Sequence, residues 1–169
     1  MSSDGEGVLL LSAAQSGNHE FVLELLNRGV SANCKDRVGE TPLHRSAQSG
    51  NNAICVSLLD HQASVNAQTT SGDTPLHYAA KASASVVESL LLRGANPLIS
   101  NEHRQLPIHY AASANQAACI EMLYNANPQS ASLGDDKGFT PLMIASQCKA
   151  THAIQSLLHA GADVTVWDM

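Results

Sequence analysis

The sequence predicts an all-α solenoid of five stacked helix-turn-helix units with projecting β-hairpin loops. The first observation is the segment Thr74-Pro75-Leu76-His77, whose near copies place prolines at 42, 75, 107 and 141, at steps of 33, 32 and 34 residues. The second is a pair of adjacent apolar residues that recurs after each copy with helical spacing. The third is a turn residue at 29, 62, 94, 127 and 161, after each helical pair. Self-similarity at this period indicates a stacked repeat array.

The first helix of each unit is predicted to begin where threonine precedes proline. Threonine at positions 41, 74 and 140 can accept a hydrogen bond from a free backbone N–H, and proline needs no such bond at the first helical position. Leu106 replaces this threonine in the fourth unit, so we expect that helix start to be weaker by about 1 kcal/mol. Gly17, Gly50 and Asn115 are predicted to end first helices in the left-handed conformation.

The second helix of each unit is predicted from two apolar pairs spaced four residues apart, a helical pattern and not a strand alternation. In chain order the five sets are Phe21, Val22, Leu25, Leu26; Ile54, Cys55, Leu58, Leu59; Val86, Val87, Leu90, Leu91; Cys119, Ile120, Leu123, Tyr124; and Ala153, Ile154, Leu157, Leu158. The polar segment before the next threonine is predicted to form a β-hairpin-like loop.

Two irregularities of repeat length are expected to fall in loops, where they are tolerated. The third unit lacks one residue between its helices, within 81–85, and the fourth has one extra residue within 129–136. We assign 1–7 to a flexible lead-in and 8–169 to one domain, with repeats at about 4–35, 36–68, 69–100, 101–134 and 135–167. Asp168 begins a sixth hairpin, so the chain is either part of a longer protein or ends with Trp167 folded over the last repeat.

Composition argues against several other classes of protein. A formal net charge of −6 over 169 residues is unlike a protein that binds nucleic acid by neutralising phosphates. No apolar run approaches the roughly 18 residues of a membrane span, so no membrane insertion is expected. The four cysteines form no CxxC pair, which indicates free thiols in a reducing compartment. We therefore expect the protein in the cytoplasm, with the nucleus as the alternative.

The sequence resembles the ankyrin repeat family over about residues 4–168. The resemblance rests on Thr-Pro-Leu-His at 41–44 and 74–77, Leu-Pro-Ile-His at 106–109, Thr-Pro-Leu-Met at 140–143, the paired apolar residues, and the turns Gly29-Val30, Gly94-Ala95-Asn96 and Gly161-Ala162-Asp163. It implies antiparallel helix pairs stacked side by side, with hairpins at roughly right angles. It also implies recognition of a partner protein by the hairpin tips and by the concave face of the first helices. The motif histidine is implied to bond to nearby backbone and to the capping threonine.

Metal binding and catalysis are the alternatives raised by eight histidines and four cysteines. His44, His77 and His109 occupy the motif position, and the other histidines show no ligand spacing such as HExxH. A cysteine nucleophile needs a base within hydrogen-bond reach, and the sequence places none beside Cys34 or Cys148. No catalytic residue, metal site or cofactor is predicted.

Two rows of residues that vary between the repeats are predicted to bind a partner protein. The tip row, whose alternative is a merely solvated loop, consists of Arg37, Val38, Glu40, Ser71, Asp73, Glu102, His103, Arg104, Lys137 and Phe139. The helix row follows the motif histidine position and consists of Arg45, Tyr78, Tyr110 and Ile144, with Gln48, Lys81, Ser113 and Gln147 beside them. Tyrosine and arginine are common hot-spot residues, although packing between first helices is the alternative for the two tyrosines. The mixed charge favours a protein ligand with some acidic groups.

A modification is also predicted at two asparagines. Asn33 and Asn66 each follow a leucine by eight residues, Leu25 and Leu58. This spacing resembles that of ankyrin-repeat substrates of the asparaginyl hydroxylase of the hypoxia pathway. The alternative is that each side chain only bonds its own turn.

The sequence as a whole predicts a non-enzymatic protein–protein interaction module, monomeric in isolation, that docks a partner on a rigid preformed surface. The first alternative is a regulator of an enzyme complex, either an inhibitor or an assembly chaperone. The second is an adaptor segment of a larger ankyrin-repeat protein. The five-repeat cyclin-dependent kinase inhibitors have a degenerate first helix in their second unit, whereas the second unit is complete here, which argues against close kinship.

Overall fold

A computed structural model describes residues 3–162 of the chain. Over this range the chain forms five helix pairs and one 3-10 helix, Pro128–Ala131, after the fourth pair. The first helices of the pairs are α1 (Ser3–Ser16), α3 (Pro42–Gln48), α5 (Pro75–Ala82), α7 (Pro107–Ser113) and α9 (Pro141–Gln147). The second helices are α2 (His19–Asn27), α4 (Asn52–Asp60), α6 (Ala84–Leu92), α8 (Ala117–Ala126) and α10 (Thr151–His159). The predicted sixth hairpin and Trp167 lie outside the described residues.

The helix pairs stack in chain order, first helix against first helix and second against second. The apolar residues of the two helices meet between these layers, where Leu43, Leu58 and Leu76 are almost completely buried. A single apolar core therefore runs through the stack, and each repeat buries its apolar face against its neighbours. The predicted all-α solenoid of five repeats is confirmed.

The motif histidines form hydrogen bonds that link each repeat to the next. The Nδ1 atom of His44 accepts the backbone N–H of Thr41 at 3.1 Å and lies 2.9 Å from its hydroxyl, while Nε2 lies 3.1 Å from the carbonyl oxygen of Asp73 in the following repeat. His77 makes the same set of bonds one repeat later. Because Nδ1 accepts, the neutral ring carries its proton on Nε2. Burial lowers the pKa of both histidines, which favours this neutral form.

The fourth repeat lacks part of this set of histidine hydrogen bonds. Leu106 has no hydroxyl to lie beside Nδ1 of its motif histidine, as the hydroxyls of Thr41 and Thr74 do at 2.9 and 2.8 Å. The predicted capping bond to a threonine oxygen forms in α9, where Thr140 accepts the N–H of Met143 at 3.4 Å, and not in α3, α5 or α7. The Nδ1 atom of His109 still accepts the backbone N–H of Leu106 at 3.0 Å. Its Nε2 atom, however, has no partner among the described residues, although the residue is only 1% exposed. The 3-10 helix lies in the loop that was predicted to hold an extra residue, so this repeat departs from the others at both places.

The links between paired helices follow the sequence-based expectations. Gly17, Gly50 and Asn115 have φ angles of 78°, 69° and 58°, which confirms the predicted left-handed helix ends. In the third repeat a single extended residue, Ser83, joins α5 to α6. The predicted deletion within 81–85 is therefore confirmed.

The loops between repeats are hairpin-shaped, but no β-strand forms between residues 3 and 162. In the first such loop the backbone N–H of Asp36 donates to the carbonyl of Glu40 at 3.0 Å, and that of Gly39 donates to the carbonyl of Asp36 at 3.1 Å. These bonds close a turn without continuing into a strand ladder. The loops are thus tight turns that carry their tip residues at fixed positions.

The start of the described chain differs from the predicted lead-in. Helix α1 begins at Ser3, so most of residues 1–7 extend the first helix. Glu6 forms an ion pair with Arg28, and Gly7 is buried beside the side chain of Cys34. Contacts with the following loop and helix therefore hold this segment in the helix.

Candidate interaction surface

Tyrosines on the first helices bond to carboxylates of the preceding repeat. The hydroxyl of Tyr78 donates to Oε1 of Glu40 at 2.6 Å, and the hydroxyl of Tyr110 donates to Oδ1 of Asp73 at 2.8 Å. Both phenols are partly buried, and burial together with these bonds raises the pKa of each. The two contacts are equivalent, one repeat apart, and they tie neighbouring repeats together.

The same tyrosine rings pack against the motif histidines. The ring centroids of Tyr78 and His44 lie 5.5 Å apart at 86°, and those of Tyr110 and His77 lie 5.2 Å apart at 79°. Edge-to-face contacts of this kind are favourable for aromatic rings. The packing that the sequence left as an alternative is therefore present. Partner contact by the exposed parts of the rings stays a prediction.

Two residues of the tip row are buried and do not lie at the exposed end of their loops. Glu40 and Asp73 are each only 8% exposed, because they receive the tyrosine hydroxyls. Asp73 also accepts from the amide of Asn101 at 2.9 Å and the hydroxyl of Ser71 at 3.0 Å. The acceptor sites of these carboxylates are therefore largely occupied within the chain.

Arg45 joins the first repeat to this network. Its guanidinium lies 2.8 Å from Oδ2 of Asp36 and 2.6 Å from Oε2 of Glu40, and it donates to the amide oxygen of Gln15 at 3.1 Å. The contact with Glu40 is close in distance but is not an aligned hydrogen bond. The hydrogen bond with Asp36 raises the pKa of Arg45. Desolvation by itself would raise the pKa of Asp36, but the bonds from Arg45 and from backbone N–H groups outweigh it and lower that pKa.

Five of the predicted binding residues meet at one cavity on the face formed by the first helices. The cavity has a volume of 550 Å³ and is lined by Gln48, Asp73, Tyr78, Lys81, Ala82 and Tyr110. The ammonium group of Lys81 lies 4.9 Å from the centroid of the Tyr110 ring, within cation–π distance. Gln48 and Lys81 are exposed and offer hydrogen-bond donors to an incoming group.

The loop tips form a second continuous part of this surface. The backbone N–H of Thr70 donates to the carbonyl of Val38 at 2.9 Å, and Asp136 makes the corresponding bond to His103. Successive tips are therefore held side by side. The exposed side chains along them are those of Arg37, Val38, Glu102, His103, Arg104 and Lys137, while Ser71 and Phe139 are partly buried.

The remaining residues of the helix row make no hydrogen bond to the carboxylates that hold the tyrosines. Ile144 stands in α9 at the position of the two tyrosines, but it has no hydroxyl and is partly buried. Ser113 and Gln147 are exposed on the same face. The helix row therefore continues along the face into α9, but the tyrosine–carboxylate bonds do not continue with it.

Sequence reasoning missed the side chains that shape the loops. The Oδ1 atom of Asp36 accepts the backbone N–H groups of Val38 and Glu40, at 3.0 and 2.9 Å. Asn101 and Asp135 do the same in their own loops. The available signal was a turn-forming residue six positions before each motif proline, at 36, 69, 101 and 135.

The two asparagines predicted as hydroxylation sites link neighbouring repeats. The amide of Asn33 donates to the carbonyl of Gln62 at 2.9 Å, and its oxygen accepts the N–H of Ser64 at 2.7 Å. Asn66 makes the equivalent pair of bonds to Gly94 and Asn96. Both side chains thus have structural contacts, and their hydroxylation stays a prediction.

Within residues 3–162 no group of three or more histidine, cysteine, aspartate or glutamate side chains is arranged to hold a metal ion. No helix in the same range is long and apolar enough to cross a membrane.

Helix pairs stacked in register, with their loop tips aligned along one edge, define a repeat solenoid that presents an extended rigid surface. The chain belongs to the ankyrin repeat family. The family model for ankyrin repeats (three copies) matches residues 10–101 and 82–168. Repeats of this family are protein-interaction modules, so the predicted family and class of function are confirmed.

Two relatives are similar to part of the chain. One is the 26S proteasome non-ATPase regulatory subunit 10 of Dictyostelium discoideum, which is 32% identical over 71 residues, covering 42% of this chain and 31% of the relative. The other is ankyrin repeat and SOCS box protein 3 of Homo sapiens, which is 31% identical over 85 residues, covering 49% of this chain and 16% of the relative. The match thus spans less than a third of the length of either relative.

Proposed function

We propose that this chain binds a partner protein on its first-helix face and loop tips and that it catalyses no reaction. The observation that carries the proposal is the cavity at which Gln48, Asp73, Tyr78, Lys81 and Tyr110 meet. The tyrosines, held by hydrogen bonds and ring packing, keep the shape of this cavity fixed. Little conformational entropy is therefore lost when a partner docks.

The side chains that remain available on this face favour a partner with acidic groups. The carboxylates of Glu40 and Asp73 already accept bonds inside the chain. Lys81 and Lys137 are exposed, and neither forms an ion pair among the described residues. A carboxylate placed near Lys81 would meet an accessible cation beside the cavity.

The test uses affinity capture followed by mass spectrometry to obtain a partner, and calorimetry of the purified pair to measure Kd. Replacing Tyr78 and Tyr110 together by alanine is expected to weaken binding by more than about 2 kcal/mol, in the hot-spot range. Because both hydroxyls bond buried carboxylates, circular dichroism must first show that this variant folds. Lys81→Glu is the second variant, and it leaves those bonds intact.

Lys149→Glu is the matched control. It reverses an equally exposed charge in the turn between α9 and α10, away from the cavity, so Kd should not change. If Lys81→Glu and the folded tyrosine variant both bind as tightly as the wild type, the proposed surface is wrong.

A second candidate function is supported by the two relatives. One is named as a regulatory subunit of the 26S proteasome and the other as a SOCS box protein, which favours a regulator of an enzyme complex or an adaptor segment. Co-sedimentation of the chain with purified 26S proteasome tests the first of these roles, and its absence would remove that role. The free thiols of all four cysteines support the cytoplasm as the proposed location, with the nucleus as the alternative.

A further inference from the structure

A groove between α6 and α8 lies on the second-helix face, away from the surface described above. It has a volume of 340 Å³ and is lined by Glu88, Leu91, Leu92, Met122 and Asn125. Leu92 is 80% exposed, which is the largest exposure of any large apolar side chain in the described part of the chain. Single exposed leucines are common on protein surfaces. What distinguishes Leu92 is its neighbours and the residues at the same position of the other repeats.

The other four repeats do not carry an apolar residue at the position of Leu92. This position directly follows the second apolar pair, and its equivalents are Asn27, Asp60, Asn125 and His159. Since those repeats form the same helix pair with a polar residue there, the fold does not require leucine at 92.

Met122 is a second exception of the same kind. It stands one position before the second apolar pair of its repeat, and its equivalents are Glu24, Ser57, Ser89 and Ser156. Leu92 and Met122 belong to neighbouring repeats and line the same groove. Two independent departures from polar to apolar residues therefore meet at one place on the surface.

The charged side chain that lines the groove is acidic. Glu88 lies one helical turn before Leu92 and is exposed. The neighbouring cation Arg93 lies 2.6 Å from Asp60, to which it is already paired. No lysine or arginine lines the groove. An occupant of matching chemistry has an apolar side chain flanked by positive charge.

We propose that this groove binds a basic amphipathic helix of a partner protein. Large apolar side chains of that helix pack against Leu91, Leu92 and Met122, and a lysine or arginine side chain lies beside Glu88. At 1.5 Å per residue, α6 and α8 are about 14 and 15 Å long, which matches two to three turns of a bound helix. Helices that bind in grooves commonly use apolar anchors at i, i+3 or i+4, and i+7.

The test is a phage-displayed library of helix-forming peptides selected on the full chain. The most enriched peptide is then synthesised, and its Kd is measured by fluorescence polarisation against purified variants. We expect enriched peptides to carry leucine, methionine or phenylalanine at helical spacing with lysine or arginine next to them. Leu92→Asn and Met122→Ser, which introduce residues found in other repeats, should each weaken binding at least tenfold. Glu88→Gln should weaken it about threefold.

Leu133→Asn is the matched control, because it removes an apolar side chain that is 46% exposed in a loop outside both proposed surfaces. Binding of the selected peptide should be unchanged in this variant. The proposal is overturned if no peptide is enriched, if the enriched peptides are acidic, or if they bind Leu92→Asn as tightly as the wild type. It is also overturned if sedimentation shows a dimer that Leu92→Asn dissociates, since the occupant is then a second copy of the chain.

Discussion

Tyr78→Phe is predicted to destabilise the fold more than Tyr110→Phe, although the two tyrosines occupy equivalent positions. The hydroxyl of Tyr78 is the only donor that reaches Oε1 of Glu40 among the described residues. The carboxylate of Asp73, in contrast, also accepts from Asn101 at 2.9 Å and from Ser71 at 3.0 Å. Tyr78→Phe therefore leaves Oε1 of the buried Glu40 without a hydrogen bond. After Tyr110→Phe the carboxylate of Asp73 still accepts its other hydrogen bonds.

The expected magnitudes follow from the energetics of hydrogen bonds to charged groups, which contribute about 1.5–3 kcal/mol when they are well shielded. Both tyrosines are only partly buried, so the lower end of this range applies. We expect Tyr78→Phe to lower the free energy of unfolding by about 1.5 kcal/mol and Tyr110→Phe to lower it by about 0.5–1 kcal/mol. Both variants keep the ring packing against the motif histidines, so the difference reports the hydroxyl alone.

Urea unfolding followed by circular dichroism measures these free energies. Tyr124→Phe is the matched control: Tyr124 is also partly buried, but its hydroxyl makes no hydrogen bond among the described residues. Its effect should stay within about 0.5 kcal/mol, as for most surface substitutions. The reasoning is refuted if Tyr78→Phe is as mild as Tyr124→Phe, or if Tyr110→Phe is the more destabilising of the pair.

Two further predictions concern pH and backbone conformation. Burial lowers the pKa of His44, His77 and His109, so the unfolded chain takes up protons first as pH falls below about 6.5. The urea midpoint should therefore decrease between pH 7 and 5, and an increase would contradict the buried neutral state. Arg104 has a φ of 56° where the other loops carry glycine at 80°, 84° and 80°. Arg104→Gly should raise the free energy of unfolding by about 0.5 kcal/mol, and a lower midpoint in the same assay would show that the side chain stabilises the loop.

The helix pairs were predictable because the same helix-start motif occurs several times in the sequence. Proline at 42, 75, 107 and 141 begins a helix in each case, and the predicted missing residue within 81–85 is where Ser83 alone links two helices. The start of α1 was not predictable by the same means. Gly5 and Gly7 argue against a helix by their low propensity, while contacts of Glu6 and Gly7 with residues 28 and 34 stabilise it.

The surface was only partly predictable. The pattern placed Tyr78 and Tyr110 on one face, but the carboxylates they bond lie 38 and 37 residues away in the sequence. Only the spatial stacking of repeats brings these groups within 3 Å. For the same reason Glu40 and Asp73 looked like exposed tip residues from their loop positions, although each is 8% exposed.

Variation between repeats is therefore not sufficient to identify a binding residue, because the polar group of a varying residue can have its hydrogen bond within the fold. Glu40 and Tyr78 illustrate this case, since the hydroxyl of Tyr78 donates its hydrogen bond to the carboxylate of Glu40. Leu92 differs from them, because its equivalents in four repeats are polar and most of its own surface remains exposed. A side chain that the fold neither requires nor covers has its apolar surface available for another molecule. By this criterion the groove beside Leu92 is a stronger candidate for a specific contact than the tyrosine hydroxyls, and Leu92→Asn separates binding from stability more cleanly than any tyrosine substitution.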